Sequence, residues 1–231
     1  MAIRTGSGIW TAVIGDMVHS RALSAQKRAA AQREFTKLVT LLNRRFRAHV
    51  ASRFIITLGD EFQGLLSNAE VIPELVWTIE SEYRRRDVRL GFGFGKLHTP
   101  MRPVALNIDG PVLHNARSAI TVARSRKLLG GVFEGFGSYD TVLTGYAQIM
   151  RHVRQRMTER QHAIVEMLRA GHTQLEVAEK LDITKQAVSD HAIAAGSEAY
   201  RVAELGWKTA LYLATLGERR RKALSFSCGR M

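Results

Sequence analysis

One cysteine, Cys228, is all the chain holds, so no disulfide framework can form within it and a reducing compartment is expected. Long apolar runs are missing too, which excludes a membrane-spanning helix on hydropathy. The first residues show no basic segment followed by an apolar stretch and a small-residue cleavage site. A cytoplasmic protein with no membrane partner is the expectation. Acids are scarce beside bases: 21 Asp and Glu stand against 34 Lys and Arg, a net charge of +13, which makes polyanions the natural partners. The excess does not point to one end. Residues 1–150 carry 20 basic and 12 acidic side chains, and residues 151–231 carry 14 and 9. Arg84 to Arg86, Arg124 to Lys127, Arg151 to Arg156 and Arg219 to Lys222 are the densest runs, and a run of this kind is more commonly a solvated face than a binding site. With 231 residues and 45% hydrophobic content, there is enough apolar material for one medium domain and a smaller one.

The most informative stretch is Leu58-Gly59-Asp60-Glu61-Phe62. Apolar β-formers from Arg53 to Leu58 and from Phe62 to Leu66 flank a Gly-Asp pair, the pattern of a β-hairpin, because Gly accepts positive φ and Asp tolerates it. Asp60 and Glu61 then sit at a strand end. A second acid follows the β-branched run Ile9 to Ile14: Asp16 lies where that strand hands over to a helical pattern from about Ala22 to Ala48. If the first strand lies beside the hairpin, Asp16 and Asp60 converge, as a hard cation such as Mg²⁺ requires. The turn Met17, Val18, His19, Ser20, with Arg21, offers backbone N–H groups and a charge suited to phosphate. The plain alternative is a solvated turn.

The middle of the chain reads as helices with an antiparallel sheet. Pro73 opens a helix through about Tyr83, and Val88 to Gly95 forms a strand. There Leu90, Phe92 and Phe94 share one face and Gly91, Gly93 and Gly95 the other. A face without side chains admits a helix, a backbone or a ligand. Asp109-Gly110-Pro111 breaks the chain and starts a helix with Asn115 and Arg117 as possible polar contacts to a nucleotide. Gly130 to Phe136 reads as a last strand, and a helical pattern covers Tyr139 to Arg154.

These residues carry a resemblance. Gly15-Asp16 with Ser20-Arg21, Thr57 to Leu65, Gly91 to Gly95, and Asp109-Gly110-Pro111 with Ala116-Arg117 resemble the SatD family. More distantly, the arrangement resembles the palm domains of class III nucleotidyl cyclases and GGDEF diguanylate cyclases. That likeness implies a ferredoxin-like sheet, with Asp16 and Asp60 as metal ligands and Glu61 in the place of the Glu of GGDEF. The chemistry implied is two-metal phosphoryl transfer. The departures are specific: one Gly precedes Asp60 where the diguanylate cyclases have two. Asn115 and Arg117 stand two apart where the class III cyclases space an Asn and an Arg by four, so they cannot share a helical face in that way. Binding a nucleotide is therefore favoured over turning one over.

The C-terminal part has the pattern of a helix-turn-helix. Thr158 with Gln161 forms a capping box, Gly171 ends that helix, and Thr173 caps a second through about Leu181. After Asp182-Ile183, Thr184 caps a third, Lys185 to Ala195. This layout leaves the last helix free to enter a major groove, and the string resembles sigma-factor region 4 modules. Thr184, Lys185, Gln186, Ser189 and Asp190 would face the bases, with Arg151, Arg154 and Arg160 on phosphates. The helix from Ser197 to about Leu216 has apolar residues on more than one face, which suggests burial against the N-terminal domain or a second subunit.

The expectation is an α+β protein: a ferredoxin-like, palm-type antiparallel sheet with helices over residues 1–140, and an all-α helix-turn-helix module over 141–231. The leading reading is a DNA-binding regulator, a homodimer, whose N-terminal domain binds a nucleotide with Mg²⁺. The competing one is a metal-dependent nucleotidyl cyclase or nucleotidyltransferase.

Overall fold

The computed structural model describes residues 8–18, 24–83 and 86–228, with the side chains of the last helix described through Leu216. Five strands, β1 (Ile9–Met17), β2 (Val50–Leu58), β3 (Glu61–Leu66), β4 (Val88–Lys96) and β5 (Val132–Glu134), form one sheet in the order β2-β3-β1-β4-β5. With α1 (Ala25–Arg45) between β1 and β2 and α2 (Ile72–Glu82) between β3 and β4, the first four strands make the split βαβ arrangement of a ferredoxin-like unit. Their pairings are all antiparallel. Only β5 runs parallel to its neighbour, β4, reached by a crossover through α3 (Pro111–Ser125).

Strand alternation decides which side chains meet which helices. From β1, Val13 and Met17 enter the larger core with Phe35, Leu38 and Leu42 of α1 and Leu75 and Ile79 of α2. Ala12 and Ile14 point the other way, into a second core with Val112, Ala116 and Ile120 of α3. The glycine face of β4 explains how α3 fits there. A Cβ on Gly93 would lie 2.2 Å from the Ala116 nitrogen, and one on Gly91 would lie 2.6 Å from the Ile120 nitrogen. The occupant of that face is thus a helix backbone.

The hairpin turn is the two residues Gly59-Asp60, with Gly59 at φ +45°. β1 continues three residues past the apolar run, so Asp16 lies within the strand, not beyond it. It runs on because Asp16 has a ladder partner on both sides, Glu61 and Arg89.

Residues after 140 share the larger core. Leu143, Ala147 and Met150 of α4 (Asp140–Gln155) and Trp207 and Leu211 of α8 (Ser197–Cys228) belong to the same buried cluster as the sheet. Trp207 meets Phe133 edge-on at 6.1 Å. Between them, α5 (Glu159–Arg169), α6 (Gln174–Leu181) and α7 (Lys185–Ala194) close a small core of Ile164, Val177, Ala178, Val188 and Ala192. Capping boxes start α5 at Thr158 and α6 at Thr173. Asp182 ends α6 in the left-handed conformation, φ 51°, ψ 53°, a state Asp reaches at modest cost.

Among the described residues, no helix is long and apolar enough to cross a membrane.

Candidate functional site

The carboxylate that meets Asp16 is Glu61, its partner in the β1–β3 register. Both side chains are on the α3 face of the sheet and nearly enclosed, 9% and 3% exposed. Two such acids side by side repel each other and lose hydration, so they require counter-charges. Three arginines supply them. Arg89, the register partner of Asp16 on β4, donates to Asp16 Oδ2 at 3.2 Å. Arg124 bridges the pair, donating from Nε to Asp16 Oδ2 at 3.1 Å and from Nη2 to Glu61 Oε2 at 3.1 Å. Arg117 donates to Glu61 Oε2 at 2.7 Å, and the Thr57 hydroxyl donates to Glu61 Oε1 at 3.2 Å. Hydrogen bonding to Asp16, chiefly, raises the Arg124 pKa further.

Arg117 and Arg124 stand seven residues apart on α3, two turns, so both overhang the same end of the sheet. Their side chains are 46% and 43% exposed. Each guanidinium has five N–H donors, and the bonds above use one on Arg117 and two on Arg124. The cluster of three guanidiniums and two carboxylates carries net +1, and two of its arginine side chains are nearly half exposed.

That balance bears on magnesium. Among the described residues, no three His, Cys, Asp or Glu side chains converge as a cation site, and Asp16 and Glu61 are already engaged by guanidinium. As arranged, the residues do not fit a cation held by the protein alone. The planar forks of Arg117 and Arg124 fit a phosphate.

The other expected residues are distributed as follows. Asp60 lies one residue before Glu61, in the turn, where its carbonyl accepts the Met17 N–H at 2.8 Å. The Val18 N–H is bonded to the Asp87 carbonyl at 2.9 Å, and the Met17 and Val18 side chains are buried. These two amides are therefore spent on the fold and do not cradle a phosphate. His19, Ser20 and Arg21 lie outside the described residues. Asn115 turns away from Arg117, donating to the Phe94 carbonyl at 2.9 Å. Sequence reasoning missed Arg89 and Arg124. Arg89 begins the alternation that Gly91 and Gly93 continue, and Arg124 follows Arg117 at two-turn spacing, so both signals were present.

On the helix-turn-helix, Lys185, Gln186 and Asp190 are exposed on α7 and Ser189 is half-buried. The Gln186 amide donates to Asp190 at 2.8 Å. The Thr184 hydroxyl is the N-cap of α7, accepting from Ala187 N–H. Arg160 is exposed, with one bond to the Leu181 carbonyl at 3.4 Å. Arg151 and Arg154 require correction as phosphate contacts. Arg151 pairs with Glu80 at 2.9 Å and with Asp87, and its side chain is 11% exposed. Arg154 is buried, donates to the Trp77 carbonyl at 2.9 Å and to Glu80 at 3.2 Å, and lies over the Trp77 ring. Both are consumed in fixing α4 to α2. Arg169 of α5 also lies over Trp77, at 4.1 Å, and binds Glu204 of α8 and Glu74 of α2. The helix-turn-helix is tied to the sheet domain through this stack.

The chain belongs to the SatD family, whose sequence profile matches residues 10–201. No curated protein matches it. Among solved structures it is similar to a bacterial light-regulated adenylyl cyclase, at 12% identity and TM-score 0.41, over 55% of this chain and 75% of that one. It is also similar to the catalytic core of a rhodopsin-guanylyl cyclase with converted specificity in complex with ATPalphaS, at 15% identity and TM-score 0.30, over 48% and 70%. A third is a regulator of polyketide synthase expression from Bifidobacterium adolescentis, at 13% identity and TM-score 0.26, over 92% and 83%.

Proposed function

We propose that this SatD-family chain is a DNA-binding transcriptional regulator whose sheet domain binds the phosphates of a nucleotide. The observation that carries the ligand reading is the pair Arg117 and Arg124, half-exposed guanidiniums braced from below by the enclosed carboxylates of Asp16 and Glu61. Bracing matters because an arginine already fixed in place loses less side-chain freedom when it grips a phosphate. Magnesium enters this reading as the partner of the bound phosphates. The DNA reading rests on α6 and α7, joined through the left-handed Asp182, with Lys185 and Gln186 exposed at the start of α7. Arg169 on Trp77 gives a route by which a change in the sheet domain alters how the helix-turn-helix is held.

The test is thermal denaturation with each ribonucleoside triphosphate, with and without Mg²⁺. A ligand at 100 times its dissociation constant adds about 2.7 kcal/mol, or about 5–11 °C for a chain of this size. Arg117→Ala should remove that gain while the free protein still melts cooperatively, since Glu61 keeps Arg124 and Thr57. If no nucleotide raises the melting temperature, or Arg117→Ala responds as the parent does, the phosphate reading is wrong. A new nucleotide product in the mixtures would make the protein an enzyme instead.

A further inference from the structure

α1 turns a row of cations directly away from the core. Phe35, Leu38 and Leu42 are buried. Opposite them Arg33, Lys37, Thr40 and Arg44 follow at steps of four, three and four, which sets them in one straight line on a helix of 3.6 residues per turn. Arg47 follows in the turn after α1. Arg33, Lys37, Arg44 and Arg47 are exposed, and among the described residues none of the four has a hydrogen-bond or ion-pair partner. Arg45, on the flank, is by contrast spent on Glu74 at 2.6 Å. Residues 25–47 hold seven basic side chains and one acidic, Glu34, net +6. Like charges three and four residues apart repel along a helix, so a polyanion laid along the row would relieve it.

Charge and position identify that polyanion as DNA. The helix-turn-helix segment, residues 159–196, carries six acidic and four basic side chains, net −2, in a chain of net +13. Reading bases in a groove also requires neutralising phosphates, which supplies essentially all of the sequence-independent affinity. An acidic module cannot supply that alone. The row on α1 runs up to it: Glu74 accepts from Arg45 on Oε1 at 2.6 Å and from Arg169 on Oε2 at 2.8 Å, so the C-terminal ends of α1 and α5 meet at one carboxylate. From Arg33 to Arg44 the row is about 16 Å long at 1.5 Å per residue, over which one DNA strand presents about five phosphates.

We propose that the outward face of α1, through Arg33, Lys37, Arg44 and Arg47, holds the phosphate backbone of the duplex whose bases α7 reads. This inference rests on the DNA reading above. It supplies, from the sheet domain, the positive charge that the helix-turn-helix lacks.

The test is titration of the full chain with a selected duplex and a scrambled one at several salt concentrations. Lys37→Gln with Arg44→Gln should weaken binding to both duplexes by the same factor. The slope of log affinity against log salt should fall by about 1.8, two phosphate contacts at about 0.9 each. Preference for the selected duplex should persist, and the melting temperature should not change, since both side chains are exposed and unpaired. Arg126→Gln with Lys127→Gln removes the same charge from beyond α3, on the other face of the sheet, and should leave the slope at the parent value. A parental slope in the α1 variant, or an equal fall in both variants, overturns the α1 contact and leaves the DNA reading standing. A parent that binds neither duplex overturns both. Binding without sequence preference that is lost with the α1 charges upholds the contact and overturns base reading by α7. Capture of the chain by phosphatidylglycerol vesicles, lost in the α1 variant while its DNA affinity stays parental, assigns the face to a membrane instead.

Discussion

Gly93→Ala should be the most damaging single methyl group that can be added to the sheet. Gly93 faces α3, and the added Cβ would stand 2.2 Å from the Ala116 nitrogen and 2.3 Å from the Val112 carbonyl oxygen. Ordinary contact starts at 3.4 Å, so the helix would have to retreat by about 1.2 Å, the difference between 3.4 and 2.2 Å. Both obstructing atoms are backbone, and no rotamer change relieves them. The cost therefore falls at the upper end of the overpacking range, about 3 kcal/mol, or a fall of about 6–12 °C in melting temperature at this chain length. The same retreat would draw Arg117 and Arg124 off Glu61 and Asp16. Gly145→Ala is the matched control: nothing lies within 4 Å of its Cβ position, in the interior of α4. There the loss of backbone freedom in the unfolded chain should stabilise by about 0.5–1 kcal/mol. Circular dichroism melts of parent, Gly93→Ala and Gly145→Ala decide the matter. If Gly93→Ala melts within about 2 °C of the parent, where a cost near 3 kcal/mol demands far more, the close packing of α3 on β4 is refuted.

Acid stability should depend on Glu204. Burial pushes its pKa up, but the hydrogen bond and charge of Arg169, with Lys208, outweigh burial and hold it below the ordinary glutamate value. A folded pKa below the unfolded one gives stability that is present above the unfolded value, near pH 4.3, and is lost as pH falls through the folded one. Glu204→Gln should therefore flatten the loss of stability in that acid window, and urea titrations at several pH values check it; an unaltered slope would exclude the ion pair as a source of acid sensitivity. On DNA, Lys185→Ala and Gln186→Ala should each cost about 1–3 kcal/mol of discrimination, read by titrating selected and scrambled fragments. Preference retained in the double variant would demote α7 to a protein contact. Arg151→Ala should leave DNA affinity unchanged but lower the melting temperature, because its guanidinium is spent on Glu80 and Asp87; weakened DNA binding at full stability would reverse that assignment.

Local chemistry alone determined much of this protein. The Gly59-Asp60 turn, the glycine face of β4, Pro111 at the start of α3 and the Thr158, Thr173 and Thr184 caps are written in residue types whose backbone preferences or side-chain bonds act within four residues, so they can be read from the sequence. Pairings between distant residues could not be. Asp16 was legible as an acid near a strand end, but that it faces Glu61 depends on the β1–β3 register, set by which face of each strand finds the core. Arg117, Arg124, Arg151 and Arg154 are four similar cations in the sequence. Only packing decided that α3 turns the first pair half to solvent above two enclosed acids, while α4 buries the second pair against Glu80 and Trp77. An arginine's role is fixed by the carboxylates and rings that reach it, and those come from elements 56 to 108 residues away in the candidate site and 71 to 77 in the α2–α4 contact.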